Sequence, residues 1–180
     1  ALPIFAEAAM HLATLVATRF SIVTTLPRTL IIARHLLSQY GFTAHCAGLH
    51  AIDLPVLALE DGTGLAQQKV REGCLQALRT DSCGAIVLGC GGMADLAREL
   101  TRELGVPVID GVSAAVKMVE SLVALGLSTS KQGDLAFPEA KNLGGRWALS
   151  RCRRPRMQFQ FFTGHSTLQW PLFFWIDKNK

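Results

Sequence analysis

A single cysteine lies between glycines at the point where a short buried strand is predicted to end. Residues 85–88 have the length and branching of an inner parallel strand, and Cys90 follows in the sequence Gly-Cys-Gly-Gly. The apolar periodicity of residues 94–104, closed by Gly105, predicts a helix directly after this turn. Backbone N–H groups at a helix start stabilise a thiolate. Cys90 is therefore a candidate for proton transfer at the carboxyl edge of a sheet, where ligands bind.

Four further residues are candidates for the same site. Gly91 and Gly92 offer backbone N–H groups that could hold negative charge on a carbonyl oxygen. Thr24 and Thr25 end a neighbouring predicted strand and offer hydroxyl and N–H groups. Each feature also has a purely structural interpretation: the glycines form a tight connection with an incidental thiol, and the threonines end a strand and cap a helix.

Strands and helices alternate along most of the chain, and this order decides the fold class. The pattern predicts, in turn, a helix over 7–17, a strand over 20–25, a helix over 27–41, a strand within 43–56, a helix over 64–81, a strand over 85–90, the helix after Cys90, a strand over 106–110 and a helix over 111–128. In the last helix, apolar positions 112, 115, 116, 119, 122 and 123 form one stripe. We expect an α/β fold with a parallel sheet and helices on both faces.

Composition and charge narrow the class of protein. The chain has 180 residues, 49% of them hydrophobic, which is enough for one domain or two small lobes. Residues 1–140 carry 10 basic and 13 acidic side chains, whereas residues 141–180 carry eight basic and one acidic side chain. The basic run 151–156 could attract phosphate or RNA, but a disordered or non-native tail is the preferred interpretation. We therefore expect no nucleic-acid partner.

No apolar run reaches the roughly 18 residues of a membrane span, and the start has no secretory signal pattern, so we expect a cytoplasmic protein without membrane contact. Five irregularly spaced cysteines without a Cys-x-x-Cys pair suggest neither disulfides nor a zinc site. Cys46 and Cys74 are expected to be small buried hydrophobes, and the histidines to be solvated or in the core. Asp110 is expected to cap the helix from Gly111 rather than touch a ligand.

Five segments together resemble a known family, the Asp/Glu/hydantoin racemase superfamily, and most closely its hydantoin and allantoin racemase branch. They are EAAMHLATL, FSIVTTLPR, HAIDLPVLALED, AIVLGCGGMADLA and LGVPVIDGVSAAVKMVESLVALGLSTSK, within residues 3–140. The resemblance implies two pseudo-symmetric α/β lobes with four parallel strands each and a cleft between them. It implies racemisation without cofactor or metal, on a small molecule such as a hydantoin or allantoin, and it allows a homo-oligomer.

In such a reaction two thiols on opposite faces of one carbon remove and return its proton, since a cysteine pKa of about 8.5 can be tuned near working pH. The resemblance matches Cys90 to the thiol of the second lobe. It matches Gly91 and Gly92 to the oxyanion-binding turn, and Thr24 and Thr25 to the pair that holds ring carbonyls or a ureido group.

The sequence departs from the family pattern in two places, and these departures leave two interpretations of the function. The first-lobe cysteine of the family would precede Ala1, and Cys46, Cys74 and Cys83 do not match it; Leu2 to Ile4 look like the end of a strand that begins earlier. The family ending is not matched from residue 141. We expect a first-lobe remnant and linking helix over 1–20, a racemase lobe over 21–140 and an unrelated tail over 141–180. The chain is then a racemase, or an inactive truncated or frameshifted remnant that at most binds a small molecule.

Overall fold

The helices and strands alternate as expected. The computed structural model describes residues 2–59 and 64–137. Its main elements are α1 (Leu2–Val16), β1 (Phe20–Thr24), α2 (Leu30–Gln39), β2 (Cys46–Ala51), α3 (Leu65–Thr80), β3 (Ala85–Leu88), α4 (Ala97–Leu104), β4 (Val108–Asp110) and α5 (Gly111–Ala124). Short 3-10 turns cover Pro27–Thr29, Val56–Leu59, Gly91–Leu96 and Gly133–Leu135.

The four strands form one parallel sheet in the order β2-β1-β3-β4. Val23 of β1 is paired with Leu88 of β3, and Leu88 is paired with Asp110 of β4. Because parallel strands end at the same edge, the residues that follow Thr24, Leu88 and Asp110 meet there. The predicted α/β class and its parallel sheet are confirmed.

Two apolar layers cover the two faces of the sheet. Alternate strand residues, such as Ile22 and Val87, pack with α1, α2 and α5 in one cluster. The intervening residues, such as Val23 and Ile86, pack with α3 and α4 in the other cluster. Helices therefore lie on both faces, as the alternation predicts.

One local prediction was wrong, and one helix starts later than predicted. Leu2 to Ile4 belong to α1 rather than to the end of a strand, since Pro3 lies in the first helical turn, where a missing N–H costs no hydrogen bond. The residues after Cys90 form the 3-10 turn Gly91–Leu96 before α4 begins. The helix predicted over 94–104 is confirmed as α4, but it begins at Ala97 because residues 94–96 still belong to the 3-10 turn.

The helix predicted from Gly111 is confirmed as α5, although most of its apolar stripe is not buried. Ala115 is buried, whereas the larger stripe residues are exposed: Val112, Val116, Val119, Leu122 and Val123. Gly111 and Ala114 complete the buried side of the helix. Small residues thus carry the contact of α5 with the core.

The chain divides into two compact units, residues 1–130 and 131–180. In the second unit the described residues end at 137 and include a 3-10 turn, Gly133–Leu135. Lys131 Nζ lies 5.2 Å from the ring centre of Phe137. The expectations for the tail at 141–180, including the basic run, fall outside the described residues. Within the described part of the chain, no helix is both long and apolar enough to cross a membrane.

Candidate functional site

The thiol predicted to transfer a proton lies at the carboxyl edge of the sheet. Cys90 is half-buried and extended, with φ −138° and ψ 132°. Gly89, the residue before Cys90, is held against β1, because its N–H donates to Val23 O at 2.8 Å. The first bond of the 3-10 turn joins Met93 N to Cys90 O at 3.1 Å. Gly91 and Gly92 come before Met93, so their N–H groups have no acceptor within the turn.

Thr24 lies directly against the residue that precedes Cys90. A Cβ built at Gly89 would lie 2.8 Å from Thr24 Cβ and 3.1 Å from Thr24 Oγ1. Thr24 is only 3% exposed, and its hydroxyl is 3.0 Å from that of Thr29. The structure therefore brings Thr24 to the Cys90 turn and also engages its hydroxyl within the protein.

Thr25 continues from β1 at the same edge and is 2% exposed. Its carbonyl oxygen accepts from Leu54 N at 3.0 Å, just as the carbonyl of Thr24 accepts from Ile52 N at 3.0 Å. These two bonds tie the segment after β2 to the end of β1. The two threonines lie at the end of β1, as predicted, but neither of them caps a helix: Leu26 precedes the 3-10 turn and Thr29 precedes α2, both without a side-chain capping bond.

Two apolar side chains flank the Cys90 turn and were missed in the sequence. A Cβ at Gly92 would lie 3.0 Å from Leu59 Cδ1 and 4.0 Å from Cys90 Sγ. A Cβ at Gly91 would lie 3.7 Å from Val112 Cγ2. Leu59 and Val112 come from a 3-10 turn and a helix start that carry no local signal for this contact. The glycines leave room for these neighbours.

The other described cysteines lie away from this edge. Cys46 begins β2 and Cys83 precedes β3, which places both toward the amino edge, while Cys74 is fully buried in α3. Burial raises the pKa of Cys46 to about 11 and that of Cys74 to about 12. The expectation of a small buried hydrophobe is confirmed for Cys74, whereas Cys46 is only partly buried. Among residues 2–59 and 64–137, Cys90 is the cysteine placed for chemistry at the carboxyl edge.

Asp110 caps α5, as predicted. Its Oδ1 accepts from Ser113 N at 2.7 Å, and the residue is buried. The carboxylate therefore satisfies an N–H at the helix start, where negative charge is also favoured by the helix dipole.

A polar cluster on Asp81 was missed in the sequence. Asp81 Oδ2 accepts from Ser21 Oγ at 2.6 Å and lies 2.5 Å from His50 Nε2, while Oδ1 accepts from Thr80 Oγ1 at 2.9 Å. Ser21 is paired with Gly48, whose Cβ would lie 2.0 Å from Asp81 Oδ2. The cluster fastens the end of α3 to β1 and β2 and includes none of the predicted site residues. In the described parts of the chain, no group of three or more His, Cys, Asp or Glu side chains could hold a metal ion.

Comparison with known proteins extends this picture. A family model described as Asp/Glu/Hydantoin racemase matches residues 3–119. A hydantoin racemase from Rhizobium meliloti is 46% identical over 139 residues, which are 77% of this chain and 58% of that protein. The solved allantoin racemase from Klebsiella pneumoniae is 82% identical with a TM-score of 0.73, over 79% of this chain and 58% of that chain.

A second solved structure, the allantoin racemase from Pseudomonas fluorescens, is 41% identical with a TM-score of 0.69 and covers 78% of this chain and 60% of that chain. The chain thus spans somewhat more than half the length of these relatives. The family model covers more than half of the chain, and the four-stranded α/β unit corresponds to one lobe of the Klebsiella structure. The chain belongs to the Asp/Glu/hydantoin racemase family.

Proposed function

We propose that Cys90 is one acid/base of a racemase that acts on a 5-substituted hydantoin, allantoin or a related ureido compound. The observation that carries this proposal is the position of Cys90, half-buried in a glycine-flanked turn at the carboxyl edge of the sheet. Membership of a family whose similar proteins are named hydantoin and allantoin racemases supplies the reaction class.

The proposed chemistry is a proton transfer that needs no cofactor or metal. The carbonyl next to the stereocentre acidifies its C–H bond, and the Cys90 thiolate takes this proton while the electron pair moves to the carbonyl oxygen. N–H groups of Gly91 and Gly92 stabilise the resulting enolate oxygen. Thr24 and Thr25 border the substrate. A second acid on the opposite face returns a proton to the carbon and inverts it.

That second acid has to come from outside the described edge. Cys46, Cys74 and Cys83 lie in the core or toward the amino edge of the sheet, and this chain spans about 58% of its relatives' length. We place the second thiol in a part of the protein beyond the described residues or in a neighbouring subunit.

The decisive experiment follows the circular dichroism of enantiopure allantoin and of a benzyl-substituted hydantoin. The parent chain is compared with Cys90→Ser, with a matched Cys83→Ser control and with a protein-free blank. With the second acid supplied from outside the described residues or by a neighbouring subunit, decay above the blank is expected for the parent and Cys83→Ser, and only the blank rate for Cys90→Ser. Equal decay of both variants at a rate above the blank would exclude Cys90 as the acid/base.

The second candidate is a small-molecule binding module without turnover, which is favoured by the absence of a second cysteine at this edge within the described residues. Proton NMR in D₂O distinguishes a chain in which Cys90 transfers a proton from a chain that only binds the small molecule. A single thiolate exchanges the proton at the stereocentre for deuterium without inverting the carbon, so the proton signal fades while optical activity persists. Ligand-induced shifts without such exchange would identify a binding module.

A further inference from the structure

Three groups next to the Cys90 turn form a directed chain of hydrogen bonds. Thr29 Oγ1 lies 2.6 Å from Leu26 O, and Thr24 Oγ1 lies 3.0 Å from Thr29 Oγ1. A carbonyl oxygen can only accept, so the single hydroxyl proton of Thr29 points to Leu26. The Thr24 hydroxyl is therefore the donor to Thr29, and the direction of the whole chain is fixed.

This chain determines which branch of the Thr24 side chain faces Gly89. Threonine is β-branched and has few χ1 rotamers. The hydrogen bond to Thr29 turns Oγ1 toward Gly89: Cβ and Oγ1 of Thr24 lie 2.8 and 3.1 Å from where a Cβ of Gly89 would be, and the Thr24 methyl group is not among the three nearest atoms. Gly89 is bonded to Val23 O and is followed directly by Cys90, so a rotation of Thr24 acts on the backbone that carries the thiol.

We propose that Thr29 is a positioning residue for Cys90, acting through the Thr24 hydroxyl and the Gly89 backbone. Thr29 does not meet the thiol itself; it keeps the small oxygen of Thr24, rather than its methyl group, over Gly89. The catalytic meaning of this assignment rests on the proposed role of Cys90, but the positioning itself is measurable without turnover.

The test measures the rate at which iodoacetamide alkylates each cysteine of the 180-residue chain, with the modified peptides resolved by mass spectrometry. Thr29→Val keeps the shape of the side chain and removes the acceptor, whereas Thr29→Ser keeps the hydroxyl. Thr24→Val places a methyl group at the oxygen position. Cys83, at the other edge of the sheet, is the internal control in every sample.

Alkylation of Cys90 relative to Cys83 is expected to rise about fivefold in Thr29→Val and in Thr24→Val, the factor that corresponds to one lost hydrogen bond of about 1 kcal/mol. Thr29→Ser is expected to match the parent. A Cys90/Cys83 ratio that is unchanged or lower in both valine variants would overturn the proposal, as would a Thr29→Ser ratio equal to that of Thr29→Val. General loosening raises both rates and leaves the ratio unchanged. If Thr29→Val does not fold, the Cys90/Cys83 alkylation ratio of Thr24→Val alone tests the proposal.

These outcomes are independent of the racemase assignment. Loss of racemisation in Cys90→Ser together with an unchanged alkylation ratio would refute only the positioning role. A raised ratio together with undiminished racemisation in Cys90→Ser would refute only the catalytic role.

Discussion

At the scale of the residue, Asp81 shows how hydrogen bonds outweigh the cost of burial. Burial disfavours the charged carboxylate, but bonds from Ser21, His50 and Thr80, together with the charge of His50, lower its pKa below the usual value. A carboxylate only accepts, so Nε2 of His50 carries the proton of their contact. Since the folded-state pKa is the lower one, the stability that Asp81 contributes is complete above the unfolded pKa near 4.

We expect Asp81→Asn to lower the free energy of unfolding by about 1–3 kcal/mol at neutral pH, because it removes a charged acceptor from three donors. The difference from the parent should shrink as the pH falls from about 5 through the folded-state pKa, where the parent also loses its charge. Urea unfolding followed by circular dichroism at several pH values measures both effects. Glu103→Gln, which breaks only an exposed pair with Arg71, should cost less than about 1 kcal/mol. A pH-independent difference for Asp81→Asn would contradict the account.

Asp81 and Asp110 also show which side-chain contacts can be predicted from the sequence. Asp110 bonds to a backbone group three positions away, so local capping rules are sufficient to predict its role. The partners of Asp81 on β1 and β2 are 60 and 31 positions away, and only the strand register brings them together. The role of Thr29 was missed in the same way, because the contact between Thr24 and Gly89 joins two strand ends.

At the scale of the element, alternation of apolar and turn residues was sufficient to predict the five helices and four strands described for the first 130 residues. Periodicity did not predict how elements begin. The 3-10 turn after Cys90 begins with two glycines and lies beside Leu59 and Val112, which come from elsewhere in the chain. Turns at a sheet edge depend on such non-local packing, which explains why the sequence identifies the thiol but not its surroundings.

The contact between α1 and α5 gives a prediction at the same scale. A Cβ at Gly111 would lie 2.7 Å from the carbonyl oxygen of Phe5 and 2.9 Å from its carbon, so Gly111→Ala forces α1 to move. We expect a loss of about 1–3 kcal/mol in unfolding free energy, although alanine is the better helix former. Ser113→Ala, exposed on the same turn of α5, should be neutral or slightly stabilising. Thermal unfolding compares the two variants with the parent. Equal stability of Gly111→Ala and the parent would show that α1 moves without loss of stability and would contradict the prediction.

At the scale of the whole molecule, the described fold buries one side of α5 and leaves a face of valines in contact with solvent. Val112, Val116, Val119 and Val123 recur at spacings of four, three and four residues, which places them on one side of the helix, and they are 37–58% exposed. A contiguous apolar face on a helix binds hydrophobic dyes and promotes association.

We therefore expect Val116→Lys together with Val119→Glu to reduce the binding of an anilinonaphthalene sulfonate dye and self-association in light scattering. Neither side chain is needed for the core, so the unfolding free energy should change by no more than about 1 kcal/mol for the pair. Ala114→Leu, on the buried side of the same helix, is the matched control: it should destabilise the fold by about 1–3 kcal/mol through overpacking without reducing dye binding. Unfolding of the double variant would instead show that the valines are covered in solution and that α5 depends on whatever covers them.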